Sequence, residues 1–435
     1  MAGGLLQIVA KGAQDVYLTG NPQITLFKAV YRRHTNFAQE CIQQTFNESV
    51  TKNATALTSV IAKNADLLSN MHLKVTLPAD TIASATSYVA WCNNTGHAFI
   101  KDVEFILGSN SIDKQDSVWL DIFNELTDET GNENPLINKH TAKTAYLRSM
   151  GGGTLTALAA QKLYIPLKFW FCRNPGLAVP LCALQYQDVK IKINTRGISS
   201  LINSDGTITN SSDGTPTVKL FADFIYLDTE ERRRFRTIKH EYLIEQVQRQ
   251  SSTLTTGATN TINLIFNNPV KCIYWVLRDS TSSTAATSYS ASIDATANLE
   301  IAAMSNNNDY FNYMTTANTN SEVINGVTAY EPFSTGNILF NSSDRFSTQD
   351  ASYFRTLQPF QAGYKIPEKH IYMYSFALKP NEFQPSGTCN FSRIDHPKLQ
   401  LLSVAGASNP VAEIYALTYN VLRIAGGQGG LGYAA

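Results

Sequence analysis

Five strand-like segments occur twice in this chain in the same order, and that restricts it to a doubled β architecture. Phe37–Gln44 (FAQECIQQ) aligns with Tyr242–Arg249 (YLIEQVQR), matching Glu40 to Glu245, Ile42 to Val247 and Gln43 to Gln248. Ile100–Leu107 (IKDVEFIL) aligns with Val270–Leu277 (VKCIYWVL), sharing a Lys, β-branched residues and an aromatic in register. Leu163–Ile165 aligns with Ile371–Met373, Val189–Ile193 with Pro397–Leu401, and Leu220–Leu227 more loosely with Ile414–Leu422. Short apolar strands resemble one another, so no single pair carries the argument. Five in order, roughly 170 to 210 residues apart, do.

Length and composition agree with two large β-domains. A chain of 435 residues suggests about three domains by length alone, but sandwiches often exceed 200 residues. The 43% hydrophobic fraction, with 20 Tyr and 21 Phe, is ample for two cores. Charged residues are only 16%, balanced at 35 basic and 35 acidic. A neutral chain lacks the clustered basic face that nucleic-acid capture needs, so no direct nucleic-acid partner is expected. The six cysteines show no Cys-x-x-Cys spacing. Cys172 and Cys182 can face each other across a hairpin, but free thiols are the favoured reading. The apolar run Leu5–Ala10 is too short for a signal peptide, and no stretch reaches the roughly 18 apolar residues of a membrane span.

Alternation marks strands at Val103, Phe105 and Leu107, at Val189, Ile191 and Ile193, and over Phe221–Leu227, Ile273–Leu277, Ile371–Leu378 and Ala412–Leu422. Tyr164–Phe171 reads as an aromatic strand ending at the turn Arg173-Asn174-Pro175-Gly176. Helices are few. Val118, Trp119, Ile122, Phe123 and Leu126 fall at helical spacing, capped by Asp116 or Ser117. Asp228-Thr229-Glu230-Glu231 opens a short helix through Phe235, a connector between the halves. Ser200–Thr217 and Asp279–Asn320 are long polar loops, and Gly426–Gly432 is a glycine-rich tail.

No segment presents convincing chemistry. Gly427–Gly432 matches G-x-G-x-x-G, but no helix follows it to face a pyrophosphate. Gly151-Gly152-Gly153 lacks the Lys-Ser/Thr pair of a phosphate loop, and Ser49–Lys52 satisfies S-x-x-K without its companion motifs. The seven dispersed histidines show no metal-ligand spacing, so neither metal nor cofactor is expected. Asp102 and Glu104 share a strand face, as acid pairs do in sandwich glycosidases; the favoured reading is a solvated face beside Lys101. The run Arg232-Arg233-Arg234 with Arg236 follows Glu230 and Glu231, and intramolecular pairing or subunit contact is expected. Sequons stand at Asn47, Asn53, Asn93, Asn210, Asn341 and Asn390, and these are the glycosylation candidates.

Four segments carry a family resemblance. Gly12–Ala38 (GAQDVYLTGNPQITLFKAVYRRHTNFA), Ala222–Phe235 (ADFIYLDTEERRRF), Asn268–Leu277 (NPVKCIYWVL) and Leu339–Phe346 (LFNSSDRF) resemble the major capsid proteins of large icosahedral nucleocytoplasmic DNA viruses, especially the phycodnavirus-like members. The resemblance implies an all-β fold of two tandem eight-stranded jelly-roll β-sandwiches, a double jelly roll with few short helices. It implies an N-terminal arm at 1–24, a first jelly roll at 25–228, a connector helix at 229–238, a second jelly roll at 239–425 and a Gly-rich tail at 426–435. By the same resemblance the protein is a non-enzymatic, late structural protein that forms homotrimers. These pseudo-hexagonal capsomers would tile an icosahedral shell in the virion, assembled in the host cytoplasm. By the same resemblance Gly12–Ala38 would lie on the inner side, near neighbouring capsomers, minor capsid proteins and an internal viral membrane. The alternative from a different class is a carbohydrate-active sandwich, a glycosidase or lectin-like protein, using Asp102 and Glu104.

Overall fold

A computed structural model describes residues 3–81, 89–92, 94–128, 136–137, 157–158, 160–204, 214–279, 310–311, 313, 321–324, 327–404 and 410–433. The chain divides into Met1–Asn36 and Phe37–Ala435. The first unit holds two seven-residue helices, Gly3–Val9 and Ala13–Thr19, neither with a buried residue. Asp15 accepts a hydrogen bond from the Gly12 amide at 2.9 Å, closing the second helix at its start. Leu5, Leu6, Ile8, Val16, Tyr17, Leu26, Phe27 and Tyr31 are all exposed, so this segment has no core of its own.

Phe37–Ala435 contains two sandwiches whose sheets share one order of four strand positions each. In the first, Phe37–Gln44, Thr217–Leu227 and Leu67–Leu77 lie side by side. The next position is shared by Gln161–Pro166 and Val179–Pro180, which both pair with Leu67–Leu77. The opposing sheet runs Ala56–Val60, Val189–Thr195, Ile100–Leu107, Asn110–Asp116. The second sandwich repeats both orders. His240–Thr253, Pro410–Ala425 and Pro269–Asp279 are followed by Tyr372–Ser375 and Cys389–Asn390. Opposite them stand Asn260–Asn263, Lys398–Val404, Phe333–Phe340 and Ser343–Asp344. All these pairings are antiparallel, in the order of a jelly roll, with helices few and short.

Four of the five segment pairs occupy equivalent strands in the two sandwiches. The fifth does not. Ile100–Leu107 is equivalent to Phe333–Phe340, whereas Val270–Leu277 belongs to the strand equivalent to Leu67–Leu77. Burial explains the confusion. Ile100–Leu107 hides Val103, Phe105 and Leu107 and turns Glu104 and Ile106 outward. Pro269–Asp279 is covered on both faces: Ile273, Trp275 and Leu277 fill the second sandwich's own core, while Cys272, Tyr274 and Val276 join the core continuous with the first sandwich. A strand buried on both faces reads as an unbroken apolar run and loses its alternation.

Other expectations need adjustment. The aromatic segment after Leu163 is a strand only to Pro166; Trp170–Cys172 is a short 3-10 turn that folds Phe169, Trp170 and Phe171 into the core. The helix Ser117–Thr127 is capped by Asp116, whose carboxylate accepts from the Trp119 amide at 2.9 Å. The connector helix spans Thr229–Thr237 with Asp228 as its cap. In its basic run, Arg232 reaches the buried Asp66 at 2.8 Å, and exposed Arg233 pairs weakly with Glu230 at 3.8 Å. The glycine tail is ordered. Gly426 and Gly427 turn at positive φ, so that Gln428–Leu431 pairs back onto Pro410–Ala425. Cys172 and Cys182 are free thiols. Within Ser200–Thr217, Ile202–Ser204 pairs as a strand with Val89–Trp91 and 205–213 lie outside the described residues, as do most of Asp279–Asn320 and all of Gly151–Gly153.

Trp119 joins the halves. Its ring lies 5.3 Å from Tyr274 and 5.7 Å from Tyr415, fully buried. Trp119→Ala is expected to destabilise the chain by about 3–5 kcal/mol, read as a lower denaturant midpoint.

Candidate functional site

The seam between the sandwiches is where chemistry-bearing side chains converge. On the first side stand Asn110–Asp116, the helix Ser117–Thr127 and Arg173; on the second, His240–Thr253, Pro269–Asp279 and Pro410–Ala425. Glu413, 3% exposed, accepts from Arg249 at 2.6 Å and from Arg278 at 2.6 Å. Arg249 also reaches Asp116 at 3.1 Å, and the Tyr415 hydroxyl donates to Asp116 at 2.8 Å. Glu245 receives both Arg173 and Lys271. Asp121 accepts from Lys369 at 2.6 Å, Tyr313 at 2.7 Å and Asn94 at 2.7 Å. Backbone groups join in: the Val247 amide donates to Asp113 at 3.1 Å, and Gln246 donates to the Ile112 carbonyl.

Burial shifts Asp113, Asp116 and Lys271, and their partners oppose the shift. Desolvation raises the Asp116 carboxyl, against the pull of Arg249. It lowers the Lys271 ammonium, against Glu245. Asp113 is pushed up to about 6 by burial, in spite of the Val247 and Gln115 hydrogen bonds and the Arg173 charge. Every one of these carboxylates accepts at least two hydrogen bonds or ion pairs. Asp113, Asp116, Asp121 and Glu245 each reach a partner across the seam, while Glu413 is held by Arg249 and Arg278 of its own sandwich, which suits a rigid block.

The acids singled out in the sequence sit elsewhere. Asp102 accepts from Asn194 at 2.7 Å and lies 3.6 Å from Lys114. Glu104 stands opposite Lys192 on one side and Lys114 on the other. Both belong to a polar outer sheet face laced with lysines, a setting that favours ion pairing over acid catalysis. Among the sequons, Asn47, Asn53, Asn341 and Asn390 are exposed; Asn93 and Asn210 lie outside the described residues. Asn341 and Ser342 have φ of 51° and 67° and form the turn between Phe333–Phe340 and Ser343–Asp344. Asn390 already uses its side-chain oxygen to accept from the Ser392 amide at 3.0 Å. Sequence reasoning missed the seam residues. A signal existed, since Lys271 and Glu413 interrupt otherwise apolar strands.

Two jelly rolls of one strand order, joined in one chain by a charged seam, have the architecture of a structural building block. The comparisons agree. Residues 25–228 match the family model for the major capsid protein N-terminus, and residues 231–430 match that of the large eukaryotic DNA virus major capsid protein. The major capsid protein of Pyramimonas orientalis virus is 40% identical and that of Paramecium bursaria Chlorella virus 1 is 37% identical, each aligned over 100% of both chains. Among solved structures, the PBCV-1 virus capsid shares 30% identity at a TM-score of 0.72, covering 94% of this chain and 100% of that one. The Faustovirus major capsid protein, at 14% identity, shares the fold with a TM-score of 0.70, covering 95% and 94%. The chain belongs to the major capsid protein family of large eukaryotic DNA viruses. It is a structural, non-enzymatic double jelly-roll protein of the virion capsid, and the carbohydrate-active alternative is not favoured.

Two outcomes test the seam. Glu413→Ala strands the half-buried Arg278 and should cost about 3 kcal/mol, whereas Glu104→Ala on the polar face should stay within about 0.5 kcal/mol, both from denaturant unfolding. The pH test concerns Asp113. Its folded pKa of about 6 exceeds the ordinary 3.8, so its contribution is fully present below the lower value and lost as pH rises through the upper one. The stability of Asp113→Asn relative to wild type should therefore rise across that window and level off above it. A difference that stays flat with pH would refute the assignment.

Proposed function

We propose that three copies of this chain associate into a pseudo-hexagonal capsomer, and that such capsomers tile the facets of an icosahedral shell. The observation that carries this reading is the doubled sandwich. Two jelly rolls of the same strand order in one chain give a trimer six comparable corners, which pack in a hexagonal array as three single domains would not. A seam filled with paired charges supports it, because a tile has to keep the angle between its two sandwiches fixed.

The arm supports the assembly role. Its exposed Leu, Ile, Val and Tyr side chains form an apolar surface that needs a partner. Neighbouring capsomers or minor capsid proteins beneath the shell would supply it, near an internal viral membrane. On this reading the arm is 1–24, the sandwiches are 25–228 and 239–425 with 229–238 connecting them, and 426–435 is the tail. The protein is made late and assembles in the host cytoplasm. Exposed Asn47, Asn53, Asn341 and Asn390 are the described glycan candidates, with Asn341 best presented at its turn tip.

Sedimentation of the purified chain at micromolar concentration should give a trimer; a persistent monomer would overturn the reading. Deleting Met1–Pro22 should leave the trimer intact and impair lattice formation, seen in negative-stain images. A truncated chain that unfolds at room temperature would show that the segment serves folding instead.

A further inference from the structure

Cys41, His72 and Asp223 come from three distant parts of the sequence and meet on one sheet face. They stand on Phe37–Gln44, Leu67–Leu77 and Thr217–Leu227, which are adjacent strands with Thr217–Leu227 in the middle. Cys41 is directly opposite Asp223. His72 is opposite Phe221, two residues from Asp223 and therefore on the same face. Met71, Leu73, Leu220, Ala222 and Phe224 point into the core, which leaves Cys41, His72 and Asp223 on the outer side.

Local geometry brings the three together. The register slips between Ala222 and Phe224, so Asp223 faces the two residues Ser69 and Asn70 across a β-bulge. Bulges of this kind twist a sheet locally and re-aim a side chain. The His72 ring stacks on Phe221 at a centroid distance of 5.2 Å and 7° between planes, which sets its orientation. The Cys41 sulfur, a ring nitrogen of His72 and a carboxylate oxygen of Asp223 all lie within 4.8 Å of one another. Ligand atoms roughly 2.0–2.3 Å from a shared tetrahedral ion stand about 3.5 Å apart, so small rotamer changes close the set. Cys41 is exposed and its two companions half-buried, which leaves an approach for an ion from solvent.

We propose that Cys41, His72 and Asp223 form a three-ligand site for a divalent transition-metal ion of the zinc class, with the fourth position open to water. One sulfur, one nitrogen and one oxygen suit a borderline-soft tetrahedral ion; Ca²⁺ and Mg²⁺ require oxygen shells this set cannot supply. Binding deprotonates the thiol: an S–metal bond forms, the S–H bond breaks, and one proton passes to solvent. The bound ion ties three neighbouring strands together on the outer face of the first sandwich. Motif spacing does not show such a site, because its ligands are neighbours across strands and not along the chain. The inference is independent of the assembly proposed above.

The test uses the full chain stripped of metal and titrated with Co²⁺, which reports a thiolate ligand by a near-ultraviolet charge-transfer band. The expected result is a band saturating near about one Co²⁺ per chain and displaced by Zn²⁺. Cys41→Ser should abolish the band while keeping the wild-type circular dichroism and metal-free melting temperature. His72→Ala and Asp223→Asn should each weaken binding at least about 10-fold. No band, a band that survives Cys41→Ser, or affinities unchanged in both other variants would overturn the proposal.

Discussion

A single sheet of the second sandwich, covered on both faces, holds the molecule in its arrangement. Pro269–Asp279 and Pro410–Ala425 lie at its centre. Ile273, Trp275, Ile414 and Ala416 pack inward against Leu399, Leu401 and Ile338. On the reverse face Tyr274, Val276, Tyr415 and Leu417 meet the residues that continue into the first sandwich. Removing the first sandwich would bare large aromatics that no second sheet covers, each worth roughly 1.5–3 kcal/mol of burial. The two jelly rolls are therefore interdependent in packing, although each completes its own strand order.

That constraint also decides what the sequence could disclose. The repeat was legible because strands with one wet face keep their alternation: Val189, Ile191 and Ile193 inside, Lys190 and Lys192 outside. Val270–Leu277 was matched to the wrong partner because no alternation remains once both faces are buried. Its offset from Ile100–Leu107, about 170 residues, already stood apart from the roughly 200 of the other pairs, a discrepancy that spacing within a repeat should not show. The aromatic run after Pro166 misled for a related reason. Phe169, Trp170 and Phe171 are apolar because the turn they form is buried, and composition alone does not separate a buried turn from a strand.

Site residues were less legible than strands. Asp102 and Glu104 drew attention by proximity in sequence, yet neighbouring strands supply the lysines and the Asn194 amide that occupy them. Of the carboxylates that matter, Asp113, Asp116, Asp121 and Glu245 find partners across the seam and Glu413 on adjacent strands, and no local spacing predicts such pairing. Cys41, His72 and Asp223 present the same difficulty in another sheet. Register and a bulge bring them together, and both are properties of the paired strands and not of any one segment.

The charges set among the apolar contacts of the seam have a mechanical consequence. An apolar seam tolerates sliding, since burial is non-directional and roughly proportional to area. Paired charges do not. If the sandwiches rotated by even a side chain's length, Asp116 would lose Arg249, Glu245 would lose Arg173 and Asp121 would lose Lys369, leaving buried charges that each cost several kcal/mol. Trp119 and the tail strand Gln428–Leu431 oppose the same motion from either side: the ring is wedged between Tyr274 and Tyr415, and the Gly427 carbonyl accepts from the Tyr186 amide at 3.0 Å. Folding strength could have come from more apolar area. A defined angle between two similar sandwiches requires directional partners, and a shell of repeated units depends on that angle being the same in every copy.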